Sequence, residues 1–134
     1  MKDKKALLST LWLFAVLNFL YCDVMSLMDA GVLKQYLSGT VNGIHMTGGF
    51  LLGAAVLMEI SISMVLFSRI LKYKANRIAN MVAGIIVTLV QIGTLFAAPT
   101  AYYLFFSAIE ITATVLIFLI AIRWHESGQV SGNA

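Results

Sequence analysis

Four apolar runs, each 20 to 22 residues long, dominate the chain: 7–28, 48–68, 78–97 and 101–122. An α-helix rises about 1.5 Å per residue, so about 20 apolar residues cross the hydrocarbon core of a bilayer. The runs are too long for buried strands and do not alternate with a period of two. Composition agrees: 60% of residues are hydrophobic and 11% charged, against about 45–50% and about 25% in soluble domains. A soluble chain of 134 residues needs more polar residues to cover its surface. Disorder needs low hydrophobicity and high charge. Both classes are excluded. The single cysteine, Cys22, rules out an intramolecular disulfide framework and a cysteine-built zinc site. The expected fold is all-α, an integral membrane four-helix up-down bundle over residues 1–125, followed by a flexible tail, 126–134.

The connectors fit this reading. Residues 29–47 carry Asp29, Gly31, Lys34, Gly39, Asn42 and Gly43, and residues 69–77 are largely basic. The third connector is Ala98, Pro99 and Thr100, where the only proline stops a helix. Four spans place both termini and the second connector on one side. That side holds Lys2, Lys4, Lys5, Arg69, Lys72, Lys74, Arg77 and Arg123, and the other holds Lys34. The positive-inside rule then puts both termini in the cytoplasm and the chain in the cell (inner) membrane. The net charge of +3 is topological. Nucleic acid is excluded as a partner, and weak attraction to anionic lipid heads remains. The lysine-rich start resembles a signal peptide, but no small-residue cleavage site follows, and Tyr21 before Cys22 argues against lipoprotein-type processing. The first run is expected to be retained as a span. Trp124, Tyr73 and Tyr36 lie at span edges, as interfacial anchors do.

Polar residues inside the spans carry the functional information. Measured from the basic end at 1.5 Å per residue, Glu59 lies about 15 Å deep and Asn18 about 16 Å. Glu110 and Gln91 lie about 20 Å deep, and Asp23 about 24 Å, near the outer surface. Each span thus places a polar group close to the midplane. Asn80, Gly84, Thr88, Gln91 and Thr94 share one helix face, as do Tyr103, Ser107, Glu110 and Thr114. No Lys or Arg lies inside a span. An ionised carboxylate in hydrocarbon costs at least several kcal/mol, so an acid there holds its proton. Glu59 and Glu110 are expected to meet as an uncompensated pair, oriented by Asn18 and Gln91. Such a pair suits exchange of a proton for a cation, or reception of a cationic ligand. The same groups also serve as interhelical hydrogen-bonding glue, at about 0.6 kcal/mol per bond.

Other features are weaker. His45 is a loop histidine or a proton-entry gate on the outer side. With His125 on the opposite side, the two cannot ligate one haem, and no metal or cofactor is expected. Gly49-x-x-x-Gly53 allows close helix approach, within the bundle or across a homodimer. Phosphate-loop, zinc-protease and serine-nucleophile motifs are missing from the sequence, so no catalytic residues are assigned.

Leu11-Trp12-Leu13-Phe14, Leu17 through Val24, and Leu27-Met28-Asp29 resemble the opening of an uncharacterised prokaryotic family of small four-helix membrane proteins, a domain of unknown function. The likeness continues through Gly49-Phe50-Leu51-Leu52, Met58-Glu59-Ile60, the Ser68–Arg77 connector, Phe105-Phe106 and Ile109-Glu110. The resemblance implies topology and no activity. In size and topology the chain is also similar to DoxX-like membrane proteins, some of them linked to quinone-dependent redox complexes. Three functions remain open. The chain binds a small cationic or amphipathic ligand, with or without proton-coupled transport; or it is an accessory subunit without chemistry; or it is a lipid- or quinone-linked enzyme using its carboxylates as acid and base.

Overall fold

The computed structural model describes residues 3–97 and 100–125. Its elements are α1 (Lys4–Met28), α2 (Ala30–Ser38), β1 (Thr40–Val41), β2 (Ile44–His45), α3 (Gly48–Ile70), α4 (Tyr73–Thr94) and α5 (Ala101–Ile122). The helices α1, α3, α4 and α5 are each long and apolar enough to cross a membrane. Ala98 and Pro99 of the expected third turn, and the tail 126–134, lie outside the described residues.

Local chemistry sets the element ends. Asp3 caps α1 by accepting from the Ala6 amide at 3.1 Å. Asp29 both ends α1 and caps α2, accepting from the amides of Gly31 and Val32 at 3.0 and 3.4 Å. α2 stops at Gly39, whose φ of 84° suits glycine. Asn42 and Gly43 follow with φ of 50° and 81°. Two successive positive φ values make the tight turn that joins β1 to β2. Thr47 caps α3 by accepting from Phe50 N–H at 3.1 Å. The sequence reading of 29–47 as a plain connector therefore missed a helix and a hairpin.

The second connector is also shorter than expected, because α4 begins at Tyr73 and only Leu71 and Lys72 link it to α3. The polar residues counted as loop are helical and serve as caps for other helices. Asn76 Nδ2 donates to the carbonyls of Ser68 and Leu71 at the end of α3, at 2.7 and 3.3 Å. Arg77 Nε and Nη2 donate to the carbonyls of Ala121 and Ile122 at the end of α5, at 2.9 and 2.8 Å. Tyr73 OH donates to the Trp124 carbonyl at 2.7 Å, and the two rings meet edge to face at 5.2 Å. Helix ends leave four carbonyls without intrahelical partners, and these three side chains satisfy several of them.

Deeper at the same end, Trp12 Nε1 donates to Asn80 Oδ1 at 2.7 Å, and Ser68 Oγ donates to the same oxygen at 3.2 Å. Asn80 Nδ2 in turn donates to Asn76 Oδ1 at 2.7 Å. All four side chains are fully buried. α1, α3 and α4 are thereby cross-linked into a polar clamp.

In the bundle, α1 packs between α3 and α5, and α4 packs between the same two. α1 and α4 lie on one diagonal, α3 and α5 on the other. The core is Leu8, Trp12, Ala15, Phe19, Met64, Ala83, Val87, Ala113 and Ile117. Hydrophobic driving force is small between helices in lipid, so close packing of small residues matters more. Gly84 shows this: a Cβ there would stand 3.4 Å from the Thr114 carbonyl oxygen and 3.5 Å from Phe118. At the α2 end the bundle opens. Every residue from 48 to 56 is exposed, so the first half of α3 stands clear of its neighbours.

Candidate functional site

Between the open halves of the four long helices lies a half-open cavity of about 880 Å³. A pocket of roughly 300–1,000 Å³ suits a small organic ligand. It runs along α3 from Gly49 to Ser61, a depth of about 18 Å. Glycine and alanine explain part of the space. Gly49, Gly53 and Ala54 line it, and a Cβ on Gly53 would meet nothing within 4 Å. The Gly49-x-x-x-Gly53 pair therefore makes no close helix approach within the bundle. These glycines widen a cavity instead.

α2 and the hairpin form a lid over the mouth, tethered to the far helices at two points. Asn42 Nδ2 donates to the Ala97 carbonyl at 3.0 Å, and Tyr102 OH donates to Asp29 Oδ2 at 3.1 Å. Asn42 N–H also donates to Gln35 Oε1 at 2.8 Å. Tyr36 reaches the cavity from the lid. Burial pushes its phenol above the ordinary value, and the nearby Asp23 carboxylate adds to the shift. Tyr36 is thus a neutral hydroxyl at neutral pH.

The lining is mostly apolar, with Phe19, Phe50, Tyr36, Tyr102 and Tyr103 as its aromatic members. Asp23, from α1, is the acid on the wall, and among the described residues no Lys, Arg or His lines the cavity. Gln91, from α4, also lines it, and its Nε2 donates to Glu110 Oε1 on α5. Glu110 is only 2% exposed, and its Oε2 has no hydrogen-bond partner among the described residues. Ser107 Oγ, one turn earlier on α5, is likewise without one. Thr88 Oγ1 donates to Thr114 Oγ1 at 2.8 Å, continuing the polar seam between α4 and α5.

The structure thus regroups the residues singled out in the sequence. Gln91 and Glu110 meet, and Gln91 and Asp23 line the same cavity. Glu59 does neither: it lies on the exposed outer side of α3, diagonally across from α5, and its hydrogen bond comes from Ser63 Oγ on its own helix at 3.4 Å. The expected Glu59–Glu110 pair therefore does not form. Asn18 orients no acid either, because its Nδ2 donates to the Phe14 carbonyl one turn back on α1. His45 is exposed in the hairpin, with Nδ1 3.1 Å from Thr40 Oγ1, and does not line the cavity. Among the described residues, no group of three or more His, Cys, Asp or Glu is placed to hold a metal ion.

Two parts of the arrangement were missed in the sequence. The Trp12–Asn80–Asn76–Ser68 clamp was signalled by two asparagines four residues apart on a spanning helix, a spacing that stacks them on one face. The lid was signalled by Asn42-Gly43 between Val41 and Ile44, a strong hairpin dipeptide.

Neither the curated proteins nor the solved structures include a match to the chain. The model of a family of unknown function (DUF6326) matches residues 1–131, nearly the whole of this multi-pass membrane protein, and the chain belongs to that family.

Proposed function

We propose that the protein binds a small amphipathic cation in the cavity, with Asp23 as its counter-charge. The observation that carries this reading is a ligand-sized apolar cavity that has an acid on its wall and no basic side chain lining it among the described residues. An acid in such surroundings gains most when a positive charge arrives. The five aromatic side chains add cation–π attraction and apolar contact. Gln91 links the cavity to Glu110, so a cation reaching Gln91 also feels the second carboxyl group.

The clamped end supports a binder with a single mouth. Proton-coupled passage across the membrane would require the Trp12–Asn80 clamp to open. The basic residues Lys4, Lys5, Arg69, Lys72, Lys74, Arg77 and Arg123 flank that clamped end, which supports a cytoplasmic location for it in the inner membrane. The cavity then opens in the outer half of the bilayer.

Tetraphenylphosphonium and tetraphenylborate have the same shape and opposite charge, which makes them a direct test. Calorimetry on the detergent-solubilised protein should show saturable binding of the cation and none of the anion. Asp23→Asn should weaken cation binding at least tenfold, about 1.4 kcal/mol. Equal binding of both ions would assign the cavity to neutral lipid, and binding of neither would favour an accessory role.

A further inference from the structure

Glu59 lies at the middle of α3, eleven residues from each end. Of the residues around it on this helix, Leu57, Met58 and Ser61 line the cavity, and Glu59 lies outside the lining. Its side chain is exposed beside Val56, Ile62 and Leu66, all exposed as well. Among the described residues its one hydrogen bond is from Ser63, a turn away. At that depth the surroundings of a lone chain are acyl tails, which offer no polar partner. Ionisable side chains in spans otherwise face a bundle interior, a wet cavity or another polar group. The fold provides neither of the first two for Glu59.

We infer that the outer face of α3 is a homodimer interface in which the two Glu59 carboxyl groups hydrogen-bond to each other. A two-fold axis along the membrane normal sets α3 beside α3 and brings the same residue to the same depth. A protonated carboxyl group carries one donor and one acceptor, so it is its own complement across such an axis. An isologous contact of this kind closes at two copies. Ala55 and Ser63, one turn on either side of Glu59, are small and let the helices approach. A second copy therefore meets the polar requirement without any further residue type, whereas a different protein would need a polar group at matching depth. This inference is independent of what the cavity binds.

Single cysteines in a Cys22→Ser background test the interface in phosphatidylcholine liposomes. Oxidation should cross-link Val56→Cys on the α3 face and leave Leu116→Cys, exposed on α5, monomeric. Adding Glu59→Leu to the Val56→Cys chain should cut the cross-linked fraction at least fivefold. Glu59→Gln, whose amide retains a donor and an acceptor, should restore it. The Glu59→Leu protein should unfold in detergent at or above the wild-type midpoint, which separates loss of the dimer from loss of the fold. Equal cross-linking at both positions, or indifference to Glu59→Leu, overturns the inference. So does a Glu59-dependent cross-link to a different protein in native membranes.

Discussion

Replacing Asn80 by alanine tests whether the clamp holds the bundle together. The side chain is fully buried and serves four partners: the Trp12 indole N–H, the Ser68 hydroxyl, Asn76 Oδ1 and the Asn76 carbonyl. Ser68 can turn its hydroxyl toward a carbonyl of its own helix, as serine does in spans. The Trp12 N–H and Asn76 Oδ1 have no such freedom and remain buried. An orphaned buried polar group costs about 1–3 kcal/mol, while interhelical hydrogen bonds in membranes average about 0.6 kcal/mol. Taking the two strict orphans near the middle of that span gives a loss of about 2–4 kcal/mol. Asn18→Ala is the control, since that side chain bonds only its own helix and should change stability by no more than about 0.5 kcal/mol. Unfolding by sodium dodecyl sulfate in mixed micelles, followed by tryptophan emission, measures both. A cycle with Trp12→Phe, read from Trp124, should give a coupling of about 1 kcal/mol or more between Trp12 and Asn80. If Asn80→Ala costs no more than Asn18→Ala, the clamp is not what joins α1 to α4.

The other expectations concern the seam, the cavity and the lid. Gly53→Leu should leave the unfolding midpoint unchanged while weakening tetraphenylphosphonium binding at least tenfold by calorimetry, because its side chain enters open cavity space. Gly84→Leu should instead cost about 1–3 kcal/mol in the same unfolding assay, since α5 backbone stands 3.4 Å from the position of its Cβ. Gln91→Leu leaves the buried Glu110 carboxyl without its hydrogen bond and should destabilise by about 1–3 kcal/mol, again read from the unfolding midpoint. Gly43→Val strains a backbone at φ 81° by about 1–2 kcal/mol and should loosen the lid alone. Hydrogen exchange would then rise in residues 30–45 and stay unchanged in α4.

Depth was legible in the sequence and azimuth was not. Hydrocarbon thickness ties the number of apolar residues to a span, so the four long helices could be located from run length alone. The same rise per residue placed Gln91 and Glu110 at one depth, and they meet. Rotation about the helix axis needs a polar face to contrast with an apolar one. α4 has one, and its part from Gly84 through Thr88 to Gln91 packs on α5. α3 is apolar almost all round, so Glu59 carried no information about which side faced inward. Hydropathy failed in the opposite sense at Tyr73, Asn76 and Arg77. It counts their polar heads as loop, yet those heads extend α4 by capping the carbonyls of its neighbours. Where polar residues fasten one end of a bundle and glycines leave the other end unfilled, an opening belongs at the unfilled end. Asp23 lines that opening, whereas the more conspicuous glutamate on α3 lies outside it.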